Sequence, residues 1–332
     1  MNSEAALPKA ELHCHIEGTI PPRLVRRLAE RNGIALPDTL FTGDGRFAWK
    51  SFADFLRVYD AISACLRTPI DYRDICYDYL ATCAREGAIY VEFFASPDHA
   101  AAGGIRYGEM LAGLVAAIDA AARDYRIVGR IVIISVRHLG PDCALDLVRT
   151  MRAEPHPYVV GFGMGGDERR FHPADFVAAF HLAADAGYGC TAHAGEMMGP
   201  ESVRAAIDHL PITRIGHGVR AAEDRALLEE IAERGLVLEV CPGSNLALGL
   251  YADAAAHPLR RLIAAGCRVT LNSDDPPYFD TSIGQEYAGA ADRFQLSRGQ
   301  LVGITRTALQ GSFADSATLA TLSARLENFG SP

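Results

Sequence analysis

The sequence has no long apolar run and no run of basic residues. Nowhere do about 18 apolar residues follow one another, so no transmembrane helix is predicted. Lysine and arginine (32) are outnumbered by aspartate and glutamate (41), are scattered along the chain, and leave a formal net charge of −9. Nucleic-acid-binding surfaces are usually basic. We therefore expect neither a nucleic-acid partner nor a membrane partner.

The sequence also lacks any CxxC pair, although it contains eight cysteines in 332 residues. A chain of this length with widely spread cysteines is not a disulfide-stabilised scaffold, and cysteines in apolar runs behave as small hydrophobic residues. Residues 1–7 lack the basic segment followed by an apolar segment that marks a signal peptide. We therefore expect a reduced, cytoplasmic protein.

What the sequence does contain is a regular alternation of apolar segments with segments of helical periodicity. The apolar segments predict eight β-strands at residues 10–15, 89–95, 130–136, 159–164, 189–193, 214–217, 237–241 and 268–273. Such alternation is typical of parallel βα units. Eight units in one chain favour a (β/α)8 TIM barrel, a single domain over residues 1–332, rather than an open doubly wound sheet.

The first connection, residues 16–88, is much longer than the others. Two prolines at 21–22 predict the start of a helix, and the Asn-Gly pair at 32–33 predicts its end. Residues 36–85 show no strand pattern, and two or three helices fit the spacing of their apolar residues. Long connections often form lids or functional loops, so we expect a helical insertion that includes a lid.

His13 and His15 stand one residue apart in the first predicted strand. Side chains alternate between the two faces of a strand, so both imidazoles would point the same way. Imidazole nitrogen is a common ligand of zinc and related metals. An isolated pair of this kind is as often two ordinary histidines, so its interpretation depends on the rest of the chain.

Further side chains able to bind a metal or a proton lie at or just beyond the carboxyl ends of later predicted strands. They are His193, Glu196, His217, Asp274 and Asp275. Barrel enzymes build their active sites at the carboxyl ends of the strands. The convergence of these residues with the first two histidines predicts a metal-dependent active site there. His99 and His138 do not share this placement as clearly, and we expect them at the surface or at helix ends.

Five segments resemble the motifs of the adenosine/adenine deaminase family, a group of metal-dependent amidohydrolase barrels. They are residues 7–18 (LPKAELHCHIEG), 193–196 (HAGE), 214–218 (RIGHG), 241–245 (CPGSN) and 272–276 (NSDDP), in the family's order along nearly the whole chain. The combination of HxE with a following PCxxC, found in cytidine-type zinc deaminases, is absent. The resemblance implies zinc-dependent hydrolytic deamination of a 6-aminopurine in purine salvage.

The resemblance also implies which residues hold the metal. One zinc ion per chain would be bound by His13, His15, His193 and Asp274, which leaves a coordination position for water. A metal with an open position lowers the pKa of its bound water towards neutrality, so this would be a catalytic site rather than a structural one. Asp274 would also be able to take the proton of that water.

Roles toward the purine follow from the same resemblance. Glu196 would protonate N1 as a neutral acid, and His217 would orient the attacking hydroxide and stabilise the developing charge. Asp275 would bond to N7, and the backbone N–H of Gly166 would approach N3, where the lack of a Cβ leaves room for the ring. Asp275 would alternatively cap the helix that follows, and Gly166 would alternatively serve a turn.

Glu17 bears on the choice of substrate. Adenosine deaminases usually carry aspartate here, whose carboxylate reaches towards the ribose, and glutamate extends about 1.5 Å further. Glutamate at this position, like residues 272–279 (NSDDPPYF), resembles adenine deaminases and deaminases of modified adenosines. Residues 241–245 lack the leucine that we associate with adenine deaminases. Adenosine, converted to inosine and ammonia, is the family-wide default, and adenine and modified adenosines stay open as alternatives.

Two other functions are less well supported by the residues. Amidohydrolases that cleave esters or amides often bind two metals bridged by a carboxylated lysine on the fourth strand, and residues 159–164 contain no lysine. A non-catalytic relative that senses purines or metal would be expected to lack Glu196 or one of the metal ligands, and none of these residues is missing. A small purine substrate therefore remains the expected partner.

Overall fold

The computed structural model describes residues 7–330 and contains a parallel sheet whose eight strands follow one another in chain order. The strands are β1 (Lys9–Glu11), β2 (Ala88–Ala95), β3 (Val128–Val136), β4 (Val159–Gly165), β5 (Gly189–Ala194), β6 (Arg214–His217), β7 (Val237–Val240) and β8 (Arg268–Leu271). Residues 1–6 and 331–332 lie outside the described residues, and with them most of the N-terminal stretch in which no signal peptide is predicted.

The sheet closes just beyond the ends of β8 and β1. Cys14 and Asp274 form an isolated parallel bridge. The Asp274 N–H donates to the His13 carbonyl at 3.2 Å, and the His15 N–H donates to the Asp274 carbonyl at 3.0 Å. With helices between successive strands, this arrangement is a (β/α)8 TIM barrel, which confirms the predicted fold.

The first strand is shorter than predicted. β1 ends at Glu11, whereas the alternating pattern predicted a strand over residues 10–15. Beyond Glu11 the chain leaves the continuous ladder, and His15 makes only a single bridge, to Phe94 of β2. The two histidines therefore lie in the segment between β2 and the end of β8, where the barrel closes.

The helices surround the barrel and fill its connections. They are α1 (Pro22–Asn32), α2 (Phe52–Ser63), α3 (Pro69–Arg85), α4 (Pro97–Ala102), α5 (Tyr107–Tyr125), α6 (Pro141–Ala153), α7 (Val177–Asp185), α8 (Pro200–His209), α9 (Arg225–Arg234), α10 (Pro242–Ala247), α11 (Leu259–Ala264), α12 (Pro276–Phe279), α13 (Ile283–Asp292), α14 (Arg298–Gly311) and α15 (Ser316–Gly330). Several begin with proline, whose fixed φ and missing N–H suit the first turn. Within residues 7–330 no helix is both long enough and apolar enough to cross a membrane.

The connection over residues 16–88 is helical, as predicted, and local signals set its boundaries. Gly33 ends α1 with φ at +64°, and its N–H donates to the Ala29 carbonyl. Thr68 begins α3 with a capping box, in which its hydroxyl accepts from the Asp71 N–H and the Asp71 carboxylate accepts from the Thr68 N–H. These signals are readable in the sequence because they involve residues only a few positions apart.

The amino end of the barrel is closed by Phe313, which lies between α14 and α15. Its ring packs against Gly161 in β4 and against Gly189, the first residue of β5. A Cβ on Gly189 would lie 2.1 Å from the ring and one on Gly161 2.7 Å from it, so only glycine leaves room for the aromatic side chain. The guanidinium carbon of Arg214 lies 3.7 Å from the ring centroid. Side chains thus fill this end of the barrel.

Candidate metal centre and active site

Four side chains converge at the carboxyl end of the barrel, namely His13, His15, His193 and Asp274, with one ligand atom of each within 4.8 Å of the others. The Nε2 atom of His15 lies 3.2 Å from His193 Nε2 and 3.4 Å from Asp274 Oδ1. The Nε2 atom of His13 lies 3.5 Å from the same oxygen. Ligands about 2.0–2.1 Å from a tetrahedral zinc ion stand about 3.3 Å apart. The spacing therefore suits a single metal ion.

The hydrogen bonds of two imidazoles turn their free nitrogens towards this centre. His13 Nδ1 donates to Glu239 Oε2 at 2.8 Å, and His193 Nδ1 donates to the Met164 carbonyl at 2.8 Å. Each neutral ring is therefore unprotonated at Nε2, the arrangement typical of metal-binding histidines. His13 Nε2 is buried and has no hydrogen-bond partner. A metal ion would satisfy it.

A second combination of residues also meets the distance requirement, with His217 and Cys241 in place of His15 and His193. The Cys241 thiol donates to the Glu239 carbonyl at 3.5 Å. Burial raises the pKa of this thiol well above its ordinary value, and the carboxylate of Asp274 raises it further. A thiol that stays protonated is a poor ligand, so the histidine-rich set fits a metal better.

The charge of the centre is shaped by burial and by mutual hydrogen bonds. Burial lowers the pKa of His15 and of His193, and for His193 the neighbouring His13 lowers it further. Burial also opposes the charged form of His13, but the carboxylate of Asp274, 3.5 Å from its Nε2, and the carboxylate of Glu239 outweigh this and raise its pKa to about 9. Burial opposes ionisation of Asp274, but the imidazoles of His13 and His15, within 3.5 Å of its Oδ1, keep its pKa well below the usual range. A carboxylate thus faces two neutral imidazoles.

Two residues of the site have backbone conformations that residues other than glycine rarely adopt. His217 has φ at +59° and Asp274 has φ at +61°. Each lies where its chain turns away from the barrel, His217 at the last position of β6 and Asp274 three residues after β8. Such strain costs on the order of 1–3 kcal/mol and is concentrated at functional sites. Here the two residues are held at the mouth of the barrel.

Glu196 lies in the turn after β5, close to His217. Its Oε1 atom is 3.7 Å from His217 Nε2. Burial raises the pKa of Glu196 well above its ordinary value, and the charges of Asp274 and Glu168 raise it further. Burial lowers the pKa of His217 to about 3. The structure thus places a carboxyl group whose surroundings favour its neutral form beside a neutral imidazole, an arrangement suited to proton donation.

The turn that carries Glu196 is fixed by one carboxylate that the sequence analysis did not identify. Glu168 is buried and accepts hydrogen bonds from the N–H groups of residues 195–198 at 2.5–3.1 Å and from the Ser202 hydroxyl at 2.5 Å. It joins the segment after β4 to the segment after β5. An acidic residue two positions beyond Gly166, just past a predicted strand, would have been the signal for it.

Asp275 and Gly166 both line the cavity next to the metal centre. Asp275 makes no side-chain cap to α12, and its buried Oδ1 has no hydrogen-bond partner. Burial raises its pKa well above the ordinary value, and the Asp274 charge raises it further, so its carboxyl is suited to donate a hydrogen bond. Gly166 has φ at +98°, and a Cβ there would approach His138 Nδ1 to 3.2 Å. Both positions leave space and polar atoms for a ligand.

Glu17 is fully buried and is not among the residues that line the cavity. Its Oε1 accepts from the Ser96 N–H at 3.0 Å, whereas its Oε2 has no hydrogen-bond partner. Burial raises the pKa of Glu17, and the neighbouring His99 opposes that rise. Ser96 and His99 do line the cavity, so Glu17 lies next to its wall. Its contact with a substrate stays a prediction.

The cavity also includes residues that sequence reasoning placed elsewhere. His99 and His138, expected at the surface or at helix ends, both line it, and so do aromatic side chains of α2, Phe52, Phe55 and Tyr59. His138 follows β3 by two residues and His99 follows β2 by four, so both obey the rule that barrel sites form after strand ends. Applying that rule one helical turn further along the chain would have found them.

Comparison with known proteins gives the family. Residues 8–328 match the family model described as adenosine deaminase. The chain belongs to the adenosine deaminase family. The resemblance of its five motifs is thereby confirmed, and the protein is a deaminase built on an amidohydrolase-type barrel.

Three members of the wider group illustrate how similar the chain is to known proteins. An adenine deaminase from Chelativorans sp. (strain BNC1) is 47% identical over 321 residues, 97% of this chain and 98% of that protein. The crystal structure of adenine deaminase from Arthrobacter aurescens has a TM-score of 0.90 at 30% identity and covers 98% of this chain and 99% of its own. An amidohydrolase from Burkholderia ambifaria, solved with bound zinc, has a TM-score of 0.89 at 29% identity, with 98% and 92% covered.

Proposed function

We propose that the protein is a zinc-dependent adenine deaminase, which converts adenine and water to hypoxanthine and ammonia. The observation that carries this proposal is the similarity, at 42–47% identity over 96–97% of this chain, to relatives named adenine deaminase. The sequence motifs alone ranked adenosine first, and these relatives favour the alternative. Glutamate rather than aspartate at position 17 supports the same choice.

We propose that His13, His15, His193 and Asp274 hold one zinc ion. Three imidazole nitrogens and one carboxylate form a donor set that suits zinc, and the orphaned Nε2 of His13 is consistent with a metal ligand. Zinc in such a site lowers the pKa of a bound water molecule towards neutrality, which supplies a nucleophile at physiological pH.

The residues around the cavity supply the proton transfers and the orientation. Glu196, neutral because it is buried, donates its proton to N1 and makes C6 more electrophilic. His217 orients the attacking water, and the carboxylate of Asp274 accepts the proton that the water loses. That proton passes to the amino group, which leaves C6 as ammonia, and the second proton of the water returns to Glu196, so that C6 becomes the carbonyl of hypoxanthine. Asp275 donates to N7, and the N–H of Gly166 donates to N3.

The character of the cavity supports an uncharged purine as the substrate. None of the described residues that line it is a lysine or an arginine, whereas Asp60 stands at its wall 3.1 Å from His99 Nε2. A nucleotide would bring a phosphate with nearly two negative charges and would find no cation to pair with. Aromatic side chains of α2 line the cavity as well, and we propose that this helix forms the lid over the base.

A comparison of substrates tests the proposal. We expect kcat/KM for adenine to exceed that for adenosine and deoxyadenosine by about a hundredfold or more, because a site that fits the free base has no room for a ribose. AMP is expected to be inert. Deamination is followed directly by ultraviolet absorbance. Higher kcat/KM for adenosine would restore the first interpretation, and no reaction with any 6-aminopurine would refute the function itself.

The anchoring of the Glu196 turn leads to a second prediction. In Glu168→Gln the amide nitrogen cannot accept from an N–H, so the turn loses part of its support and Glu196 shifts. We expect kcat to fall about tenfold to a hundredfold, since small misplacements of a catalytic group have effects of this size. Zinc content, measured on the same sample, should stay at one ion per chain. Unchanged kcat would show that Glu168 does not position Glu196.

A further inference from the structure

A row of charged side chains runs through the inside of the barrel towards the metal centre. Glu92 in β2, Arg214 in β6 and Glu239 in β7 are each completely buried. An Nη1–H of Arg214 donates to Glu92, and Arg214 Nε forms an ion pair with Glu239 Oε1 at 2.6 Å. Glu239 Oε2 accepts from His13 Nδ1 at 2.8 Å. The row therefore ends on one of the candidate metal ligands.

The energetics of buried charge argue that this row is not there for stability. Removing charged groups from water is costly, and replacing buried ion pairs by apolar residues is often neutral or stabilising. Two carboxylates, Glu92 and Glu239, face the single guanidinium of Arg214. Glu239, at the His13 end, places its carboxylate directly behind one of the candidate metal ligands.

Each carboxylate oxygen of Glu239 has its own partners. Oε1 faces Arg214 and also accepts from the Thr191 hydroxyl at 3.1 Å, while Oε2 is committed to His13. The carboxylate therefore cannot turn away from the imidazole without losing several contacts. It keeps the His13 proton on Nδ1 and directs the buried, unpartnered Nε2 towards the centre.

The far end of the row is attached to the closed end of the barrel. Glu92 Oε1 accepts from the Phe313 N–H at 2.6 Å and from the Tyr90 hydroxyl at 2.5 Å. The Arg214 guanidinium stacks on the Phe313 ring. The position of Arg214 is thus set by the rigid interior of the barrel rather than by the loops around the cavity.

We propose that Arg214 and Glu239 are positioning residues that hold His13 in the tautomer and orientation required to bind the metal. Neither lines the cavity, so they act through His13 and touch no substrate. The affinity of the centre for zinc then depends on an ion pair buried on the far side of the ligand. The inference concerns metal retention and holds whichever purine is the substrate.

The variant Glu239→Gln tests this directly. The amide has nearly the shape of the carboxylate, but only its oxygen can accept a hydrogen bond. It therefore cannot accept from His13 and also present an acceptor to Arg214. We expect the dissociation constant for zinc to rise about tenfold to a hundredfold. It is measured by competition with a chromophoric chelator on metal-depleted protein, in the absence of substrate. The visible spectrum of the cobalt(II)-substituted protein is expected to change as well.

The matched control is Glu286→Gln, the same change at another buried carboxylate. Glu286 accepts from the Thr281 hydroxyl and the Gly243 N–H and contacts none of the proposed ligands. Its zinc affinity should stay within threefold of the parent protein. Unchanged affinity in Glu239→Gln, or an equal loss in both variants, would overturn the proposal. Because no substrate is present, either result is separate from the test of adenine deamination.

A milder pair of variants covers the case in which Glu239→Gln does not fold. Thr191→Val removes the hydroxyl that supports Glu239 and should weaken zinc binding about threefold. Thr305→Val makes the same change at a buried threonine of α14 that donates to the Pro8 carbonyl, and it should leave zinc binding unchanged. Equal zinc affinity in these two variants would count against the proposal.

Discussion

Metal-depleted protein is expected to lose deaminase activity by at least about a thousandfold, and one equivalent of zinc per chain is expected to restore it. Without the ion, water would have to attack the purine with its ordinary pKa near 15.7 instead of one near 7, a deficit of several kcal/mol in the barrier. The three imidazoles and Asp274 would be left without the ion that the spacing of their ligand atoms fits. Activity and zinc content are measured on the same samples during titration with zinc.

Two controls make this result specific. The circular dichroism of the depleted protein should match that of the zinc-loaded protein, which would show that the barrel survives depletion. Magnesium should not restore activity, because it prefers an octahedral shell of oxygen ligands and this site offers mainly nitrogen. Full turnover in protein shown to contain no metal would end the zinc proposal.

Replacing Glu196 by glutamine is expected to lower kcat about a thousandfold while zinc stays bound. The amide is close to the carboxyl in size, but it cannot serve as the acid that protonates the purine ring. Because Glu196 is not among the four converging ligands, the metal content should stay at one ion per chain. Steady-state kinetics with adenine and metal analysis of the purified variant provide the two measurements.

The proposed role of Glu196 also predicts a pH dependence. Burial raises its pKa, so the protonated form that the proposed mechanism needs persists to higher pH than in an exposed glutamate and is lost as pH rises through that raised pKa. The rate should therefore fall on the alkaline side in the parent protein. Glu229→Gln, the same change at an exposed residue of α9, should leave both rate and pH profile unchanged. Near-normal turnover in Glu196→Gln would remove this residue from the mechanism.

The barrel and the converging residues could be predicted because their signals are local. Apolar strands, proline at helix starts and polar residues after strand ends are all visible within a few positions of one another. The boundary of the first strand was wrong because the alternating pattern continues to His15, while the ladder ends at Glu11. A pattern of side chains does not show where a neighbouring strand stops.

The charged row inside the barrel could not be predicted in the same way. Glu92 and Glu239 are visible as acidic residues within apolar strands, but their partners are remote, with Glu92 and Arg214 separated by 122 positions. For the same reason the helical spacing of Phe55 and Tyr59 is compatible with a position in the core and does not show that they also border the cavity. Contacts between residues that are far apart in the sequence form only when the barrel closes, and the sequence pattern does not show which residues then meet.

The ring of Phe313 closes the barrel at the end opposite the cavity. Because Phe313 fills the amino end of the barrel, the described residues leave the rim beside α2 as the route by which a small molecule would reach the cavity. Substrate and product would therefore have to pass through the same opening, one after the other. A product that dissociates slowly would block the next substrate molecule, so kcat would depend on the rate of product release through this opening.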